Sequence, residues 1–248
     1  SINREVHVLK RTIVIIFISL VGFTALFSCK GNSPQKSMLS LSTVKRGTDT
    51  LSIVEHSVDL TVEGTLDWSQ WGYGAEEWID PYEYNHKAGA QPLIVIDTII
   101  VKQLIPDGQQ ARAFKYEEPT GNQFSWSDGT PSATVQKFDA GLWIPGVGNG
   151  FRIMVPADKK KRILKLHLGV WRATGNLSAS LSDGSAEQVK TALSSYSQGY
   201  STLNVREYII EYAANADDEE LTVTWLVGDH NDADGWGNVT LRAAILTE

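Results

Sequence analysis

Long runs of this chain alternate apolar and polar residues one by one. Leu164, Leu166, Leu168 and Val170 alternate with Lys165, His167 and Gly169, and Leu177, Ala179 and Leu181 with Ser178, Ser180 and Ser182. Leu221, Val223, Trp225 and Val227 alternate with Thr222 and Thr224, and Val239, Leu241, Ala243 and Ile245 with Thr240 and Arg242. Phe151, Ile153 and Val155 form another such run, as do Tyr208, Ile210 and Tyr212, and Val58, Leu60 and Val62 open the series. A period of two sends successive side chains to opposite faces, which fits a strand with one face buried and the other wet. Beyond the N-terminal segment, no window of a dozen residues carries the 3.6-residue period of a helix.

Turn chemistry separates the runs. Asp107-Gly108, Asp128-Gly129, Gly148-Asn149-Gly150, Gly175-Asn176, Asp183-Gly184 and Asp234-Gly235 all suit tight or positive-φ turns. Short strands with one-sided alternation and no intervening helices predict an all-β fold, a two-sheet antiparallel sandwich over residues 52–248. Trp225 is expected to point into its core with Val223 and Val227. Connections near 64–91, 103–122 and 184–202 fall at the sandwich ends, where binding loops sit.

The first residues read as an address. Arg4, Lys10 and Arg11 precede an apolar run from Thr12 to Phe27, which is short for a membrane span and ends at Ser28-Cys29. That pattern resembles the signal and lipobox of bacterial lipoproteins, with Phe27 departing from the small or β-branched residue usual there. The resemblance implies a signal peptide over 1–29, lipidation of Cys29, and a place in the bacterial cell envelope, on the outer membrane or cell surface rather than the inner membrane. An uncleaved signal anchor is the alternative. Residues 30–51, rich in Ser, Thr, Gly and Lys, read as a flexible tether. Cys29 is the only cysteine, so no disulfide or thiolate metal site is available to the body. The net charge is −7 although the first residues are basic, and an acidic body argues against a nucleic-acid partner.

Aromatics gather in one stretch. Trp68, Trp71, Tyr73, Trp78, Tyr82 and Tyr84 fall within seventeen residues, although aromatics are only 9% of the chain. Such a cluster is a core plug beneath a loop or a stacking platform. Trp68 lies at the strand-like end and is expected inside. Tyr73, Trp78 and Tyr82 lack strand alternation and are interleaved with Glu77 and Asp80, the mixture of ring faces and polar groups that sugar sites use. These five residues are the candidate ligand contacts. Trp71 joins them without a decided side, and Trp236, on the Asp234-Gly235 turn, is a more distant candidate.

Gly64-Thr-Leu-Asp-Trp-Ser-Gln-Trp-Gly72, Asn85-His-Lys-Ala-Gly89, Phe124-Ser-Trp-Ser-Asp-Gly-Thr130, Gly148-Asn-Gly-Phe151, Ser180-Leu-Ser-Asp-Gly184 and Gly237-Asn-Val-Thr-Leu241 together resemble an uncharacterised β-sandwich module of secreted and surface bacterial proteins. The resemblance spans nearly the whole domain and implies a galactose-binding-like jelly roll in a carbohydrate-related setting, with no catalytic residues attached. The segment from Tyr73 to Tyr84 is an insertion relative to that module.

Other motifs carry less. Asp67 is expected near His86 or Lys87, as a polar pocket beside Trp68 or, preferably, as a satisfied core group pinning the loop. Asp229 to Trp236 has the look of a calcium loop, but His230 stands at the first ligand place and no closing Glu follows, so no metal site is expected. Lys159 to Arg162 reads as a solvated turn. There is no His-Glu-x-x-His, no Gly-x-Ser-x-Gly and no phosphate-cradling loop, and no cofactor is implied. Three functions remain: a lipid-anchored module binding a polysaccharide, a polysaccharide-degrading enzyme using loop carboxylates (Glu76, Glu77, Asp80, Glu83, Glu117, Glu118), and a structural envelope protein.

Overall fold

A computed structural model of the chain describes residues 37–45, 56–74, 84–89, 91–116, 122–195, 203–230 and 232–248. The alternating runs form strands, and the fold is the expected all-β sandwich. Among the described residues the larger sheet has nine strands. Its main path runs β1 (Met38–Lys45), β15 (Asn204–Ala213), β12 (Arg162–Trp171), β17 (Asn238–Thr247), β3 (Asp67–Gln70), β4 (Asn85–Lys87) and β8 (Gly129–Thr130). β17 has two neighbours on one side, since β3 pairs with Ala243 to Leu246 while β10 (Gly141–Pro145) pairs with Asn238 to Leu241, and β6 (Phe114–Tyr116) then pairs with β10. The facing sheet has five strands in the order β14 (Val189–Ser194), β13 (Ala173–Leu181), β16 (Glu219–His230), β11 (Gly150–Ala157) and β5 (Val95–Ile100).

Between these sheets lies the main core, where Leu164, Leu166, Leu168, Val170, Tyr208, Ile210, Tyr212, Phe151, Leu177, Val223 and Trp225 are buried. Trp225 is enclosed as expected; its indole N–H donates to the Thr240 carbonyl at 3.1 Å. Burial pushes the Tyr208 phenol up to about 12.

Several expectations need correction. A third, small sheet of β2 (His56–Asp59), β7 (Asn122–Trp126) and β9 (Val135–Phe138) covers part of the outer face of the nine-stranded sheet, and β2 and β7 run parallel. It encloses a second core of Val58, Leu60, Trp68, Phe124, Trp126, Val135, Ala243 and Ile245. The run from Val58 to Val62 is not one strand: the Asp59 carboxylate accepts from the Val62 N–H at 3.2 Å and caps one helical turn, α1 (Leu60–Glu63), which leaves Val62 69% exposed. Met38 to Lys45, placed in the tether, instead forms β1, because Leu39 and Leu41 pack on the main core while Ser40 and Ser42 face solvent. Apart from Ser37, the rest of that tether, and the signal with Cys29, lie outside the described residues. Gly108, Gly148, Gly184 and Gly235 have positive φ as the turn reading requires, but Gly175 sits within β13. A Cβ there would stand 2.2 Å from the Trp225 ring, so glycine serves a close approach and not a turn.

The run from Val239 to Ile245 does not keep one face. Its register with β12 passes from His167↔Ala243 to Leu168↔Leu241, so Arg242 is an extra residue, a bulge. Val239 and Leu241 face the main core; after the bulge Ala244 and Leu246 do so, and Ala243 and Ile245 face the second core. The Arg242 side chain is fully buried, ion-paired with Asp139, donating to the Asn122 carbonyl at 2.7 Å and 5.1 Å from the Phe124 ring.

Trp225→Ala removes a fully buried indole and is expected to destabilise the domain by about 3–5 kcal/mol. Gly175→Ala forces a methyl against the same ring and should cost about 1–3 kcal/mol. Chemical denaturation measures both, and the double variant should lose less than the sum, because the alanine methyl then enters the space the indole vacates.

Candidate functional site

Of the expected ligand contacts, Trp78, Tyr82, Glu77 and Asp80 lie outside the described residues, as do the loop carboxylates Glu76, Glu83, Glu117 and Glu118. Trp71 is no platform: it is wholly buried in the main core, with its ring 5.6 Å from that of Tyr84. Tyr73 is half-buried and packs edge-on against Phe138 and Trp126, at 4.5 and 5.5 Å between ring centroids. Its ring belongs to the edge of the second core. Trp68 is buried there too, as expected.

The polar groups flanking this stretch are structural. Asp67 does not pair with Lys87; its buried carboxylate accepts from the backbone N–H groups of Trp68, Leu93 and Ile94 at 2.8, 2.6 and 3.1 Å. Burial raises its pKa, and those three hydrogen bonds work against the rise. Lys87 bridges instead to Asp128 at 3.0 Å and donates to the Gly64 carbonyl at 2.9 Å. Asp128 also accepts from Thr61 at 2.6 Å and from the Trp68 indole at 2.9 Å. Partial burial acts to raise its pKa, but the hydrogen bonds from Thr61, Lys87 and Trp68 and the Lys87 charge outweigh it and hold the carboxyl below its usual value. This carboxylate ties α1, β3 and β4 together.

A different set of rings is gathered on the outer face of the nine-stranded sheet, beyond the third sheet. The cross-strand pairs Trp143↔Phe114, Trp143↔Thr240 and Trp171↔Asn238 put these side chains on one face. Phe114 stacks on Trp143, at 4.4 Å and 19° between planes. Trp236 meets both edge-on, at 6.4 Å from Phe114 and 6.2 Å from Trp143. Tyr116, Trp143, Trp171, Leu203, Trp236 and Thr240 line a groove of about 600 Å³, with Arg172, Asp234 and Asn238 supplying polar groups.

The groove's polar groups are held in place. Arg172, at the corner where β12 turns into β13 with a φ of 48°, lies 4.2 Å over the Trp171 ring and pairs with the buried Asp232 at 3.1 Å. Asp232 also accepts from the Trp236 N–H at 2.9 Å, and the Gly235 N–H donates to the Asp232 carbonyl, so Asp232 to Trp236 is a polar turn that places Trp236 and Asp234 at the groove. No cluster of metal-ligating side chains occurs among the described residues. Gly169 keeps the floor low, since a Cβ there would stand 2.6 Å from the Thr240 hydroxyl oxygen and 2.9 Å from Val205. The Asn238 amide nitrogen donates to the Trp236 carbonyl at 3.0 Å, which orients its oxygen as an acceptor; that oxygen and the Thr240 hydroxyl are buried without a hydrogen-bond partner among the described residues.

Sequence reasoning found only Trp236 of this groove. The Phe114/Tyr116 pair of β6, Trp143 and Trp171 stand far apart in the chain and are assembled by pairing across β6, β10, β17 and β12, a signal that no single stretch contains.

No family model and no curated protein matches the chain. Solved structures give loose likenesses. One is a CBM61 in complex with β-1,4-galactotriose, at 7% identity and a TM-score of 0.34, covering 55% of this chain and 81% of that one. Another is a Xyl-CBM35 in complex with a disaccharide containing glucuronic acid, at 8% identity and a TM-score of 0.29, covering 63% and 93%. A third is an arabinose-bound α-L-arabinofuranosidase, at 12% identity and a TM-score of 0.35, covering 84% of this chain and 32% of that one. Likeness at this level carries no argument about what this chain binds.

The Asp128 network sets a pH dependence. Because its folded pKa lies below the unfolded value of 3.8, the stability it contributes is present above that value and is lost as pH falls through the folded pKa. Asp67, with a raised pKa, acts in the opposite sense, losing its contribution as pH rises through the folded value. Asp128→Asn should therefore lower stability at neutral pH and flatten the acid side of the stability curve, as read by denaturant titrations across pH; an unchanged acid limb would assign that loss to other carboxylates.

Proposed function

We propose that this protein is a glycan-binding β-sandwich held in the bacterial cell envelope by a lipid on Cys29, with the groove of Trp143, Trp171 and Trp236 as its ligand site. The observation that carries the reading is the gathering of three indoles and Tyr116 on the outer face of the nine-stranded sheet, beside Arg172, Asp234, Asn238 and Thr240. Sugar rings present apolar C–H faces that stack on aromatic rings, while their hydroxyls need donors and acceptors at the edges.

Attachment fits the same reading. Met38 pairs with Ala213 and Arg162 with Tyr212 at one end of the sheet, whereas Trp171 and Asn238 pair at the other. A tether entering at Ser37 therefore attaches the domain by the end opposite the groove. Stable anchoring through Cys29 requires more than one acyl chain, as lipoproteins carry.

The test is affinity electrophoresis through gels containing soluble polysaccharides (xylan, galactan, arabinan, glucomannan and mixed-linkage glucan). At least one should retard the parent, and Trp143→Ala should abolish the retardation while the melting temperature changes little. A parent that no polysaccharide retards would overturn the glycan reading. Separately, Cys29→Ser should move the protein from membranes to the soluble fraction; continued membrane retention would mean an uncleaved anchor.

A further inference from the structure

Trp143 and Trp171 lie on opposite sides of β17. Trp143 stands on β10 opposite Thr240, Trp171 on β12 opposite Asn238, and Asn238 and Thr240 are two residues apart on the same face. Two strand spacings of about 4.8 Å and two residues of about 3.3 Å put their Cα atoms roughly 12 Å apart. Each indole is held by its own partner: Phe114 is stacked on Trp143, and the Arg172 guanidinium lies over Trp171. Between them the floor is Thr240 and Gly169, and glycine leaves that passage open, because any side chain there would strike Thr240 and Val205.

We propose that the two indoles are separate stacking platforms for one glycan chain that crosses β17, so that the ligand is an oligosaccharide or the interior of a linear polysaccharide and not a monosaccharide. At that spacing a chain of several sugar rings can lie across both indoles, with one unit stacked on each. Once one unit of a chain is stacked on Trp143, a later unit meets Trp171 as an intramolecular event, at the high effective concentration its linkage imposes. Affinity therefore rises with chain length until both platforms are occupied and then levels off. This rests on the glycan reading above and deepens it.

Calorimetric titration with β-1,4-linked gluco-, xylo-, galacto- and manno-oligosaccharides, from the monosaccharide to the hexasaccharide, tests it. For the series that binds, the gain from the monosaccharide to the plateau should be about tenfold or more. Trp171→Ala and Trp143→Ala should each bring the hexasaccharide down towards the affinity of a short ligand, and Trp171→Phe, which keeps a ring face, should restore much of the length dependence. Melting curves establish that each variant is folded. A monosaccharide bound as tightly as the hexasaccharide, or a folded Trp171→Ala that keeps full hexasaccharide affinity, would overturn the two-platform proposal and leave the glycan reading standing. If the parent binds no member of any series and no polysaccharide, both fall together.

Discussion

The bulge at Arg242 is the constraint on which the architecture turns. One extra residue in β17 changes the parity of the strand, so that the central strand of the nine-stranded sheet serves two cores. Downstream of it, Ala243 and Ile245 join Trp68, Phe124 and Trp126 beneath the third sheet. Upstream, Asn238 and Thr240 occupy the same outer face among Trp143 and Trp171. The buried Arg242 side chain stands at this boundary, paired with Asp139 and bonded to the Asn122 carbonyl at the start of β7. A buried charge is tolerable only when paired, so the third sheet and the bulge hold each other in place. What the third sheet leaves uncovered is the groove.

The all-β class was legible because period-two alternation follows directly from strand geometry, and Leu164 to Val170 and Leu221 to Val227 needed nothing more. Alternation failed where something non-local set the face. Val239 to Ile245 reads as a clean one-sided strand, yet the bulge reverses its parity, and every residue from Asn238 to Leu246 is buried. Val58 to Val62 reads likewise, yet the Asp59 cap turns it into helix. Gly175 carries a turn signature, while its actual determinant is the Trp225 ring packed from a neighbouring strand. Leu39 and Leu41 were masked by the Ser, Thr and Lys around them.

The site was less legible for a related reason. Local aromatic density marks Trp68, Trp71 and Tyr73, and these rings plug cores, because a strand that is covered on both faces needs bulky apolar side chains on both. The rings of the groove come from three separate strands, β6, β10 and β12, and from the turn before β17, each unremarkable alone and brought together by register. Asp67, Lys87 and Asp128 show the same division: the expectation of a satisfied structural carboxylate at Asp67 matches its three backbone hydrogen bonds, but the partner of Lys87 sits on a strand connection that no local pattern names.

The eight tryptophans provide the most direct measurement, since each indole N–H gives its own signal in a heteronuclear NMR spectrum. Titration with a polysaccharide fragment that retards the protein should shift the indole signals of Trp143, Trp171 and Trp236 and leave those of Trp68, Trp71 and Trp225, buried in the cores, in place. Shifts confined to Trp78, with the three groove indoles unmoved, would contradict the assignment and return the ligand to the aromatic insertion.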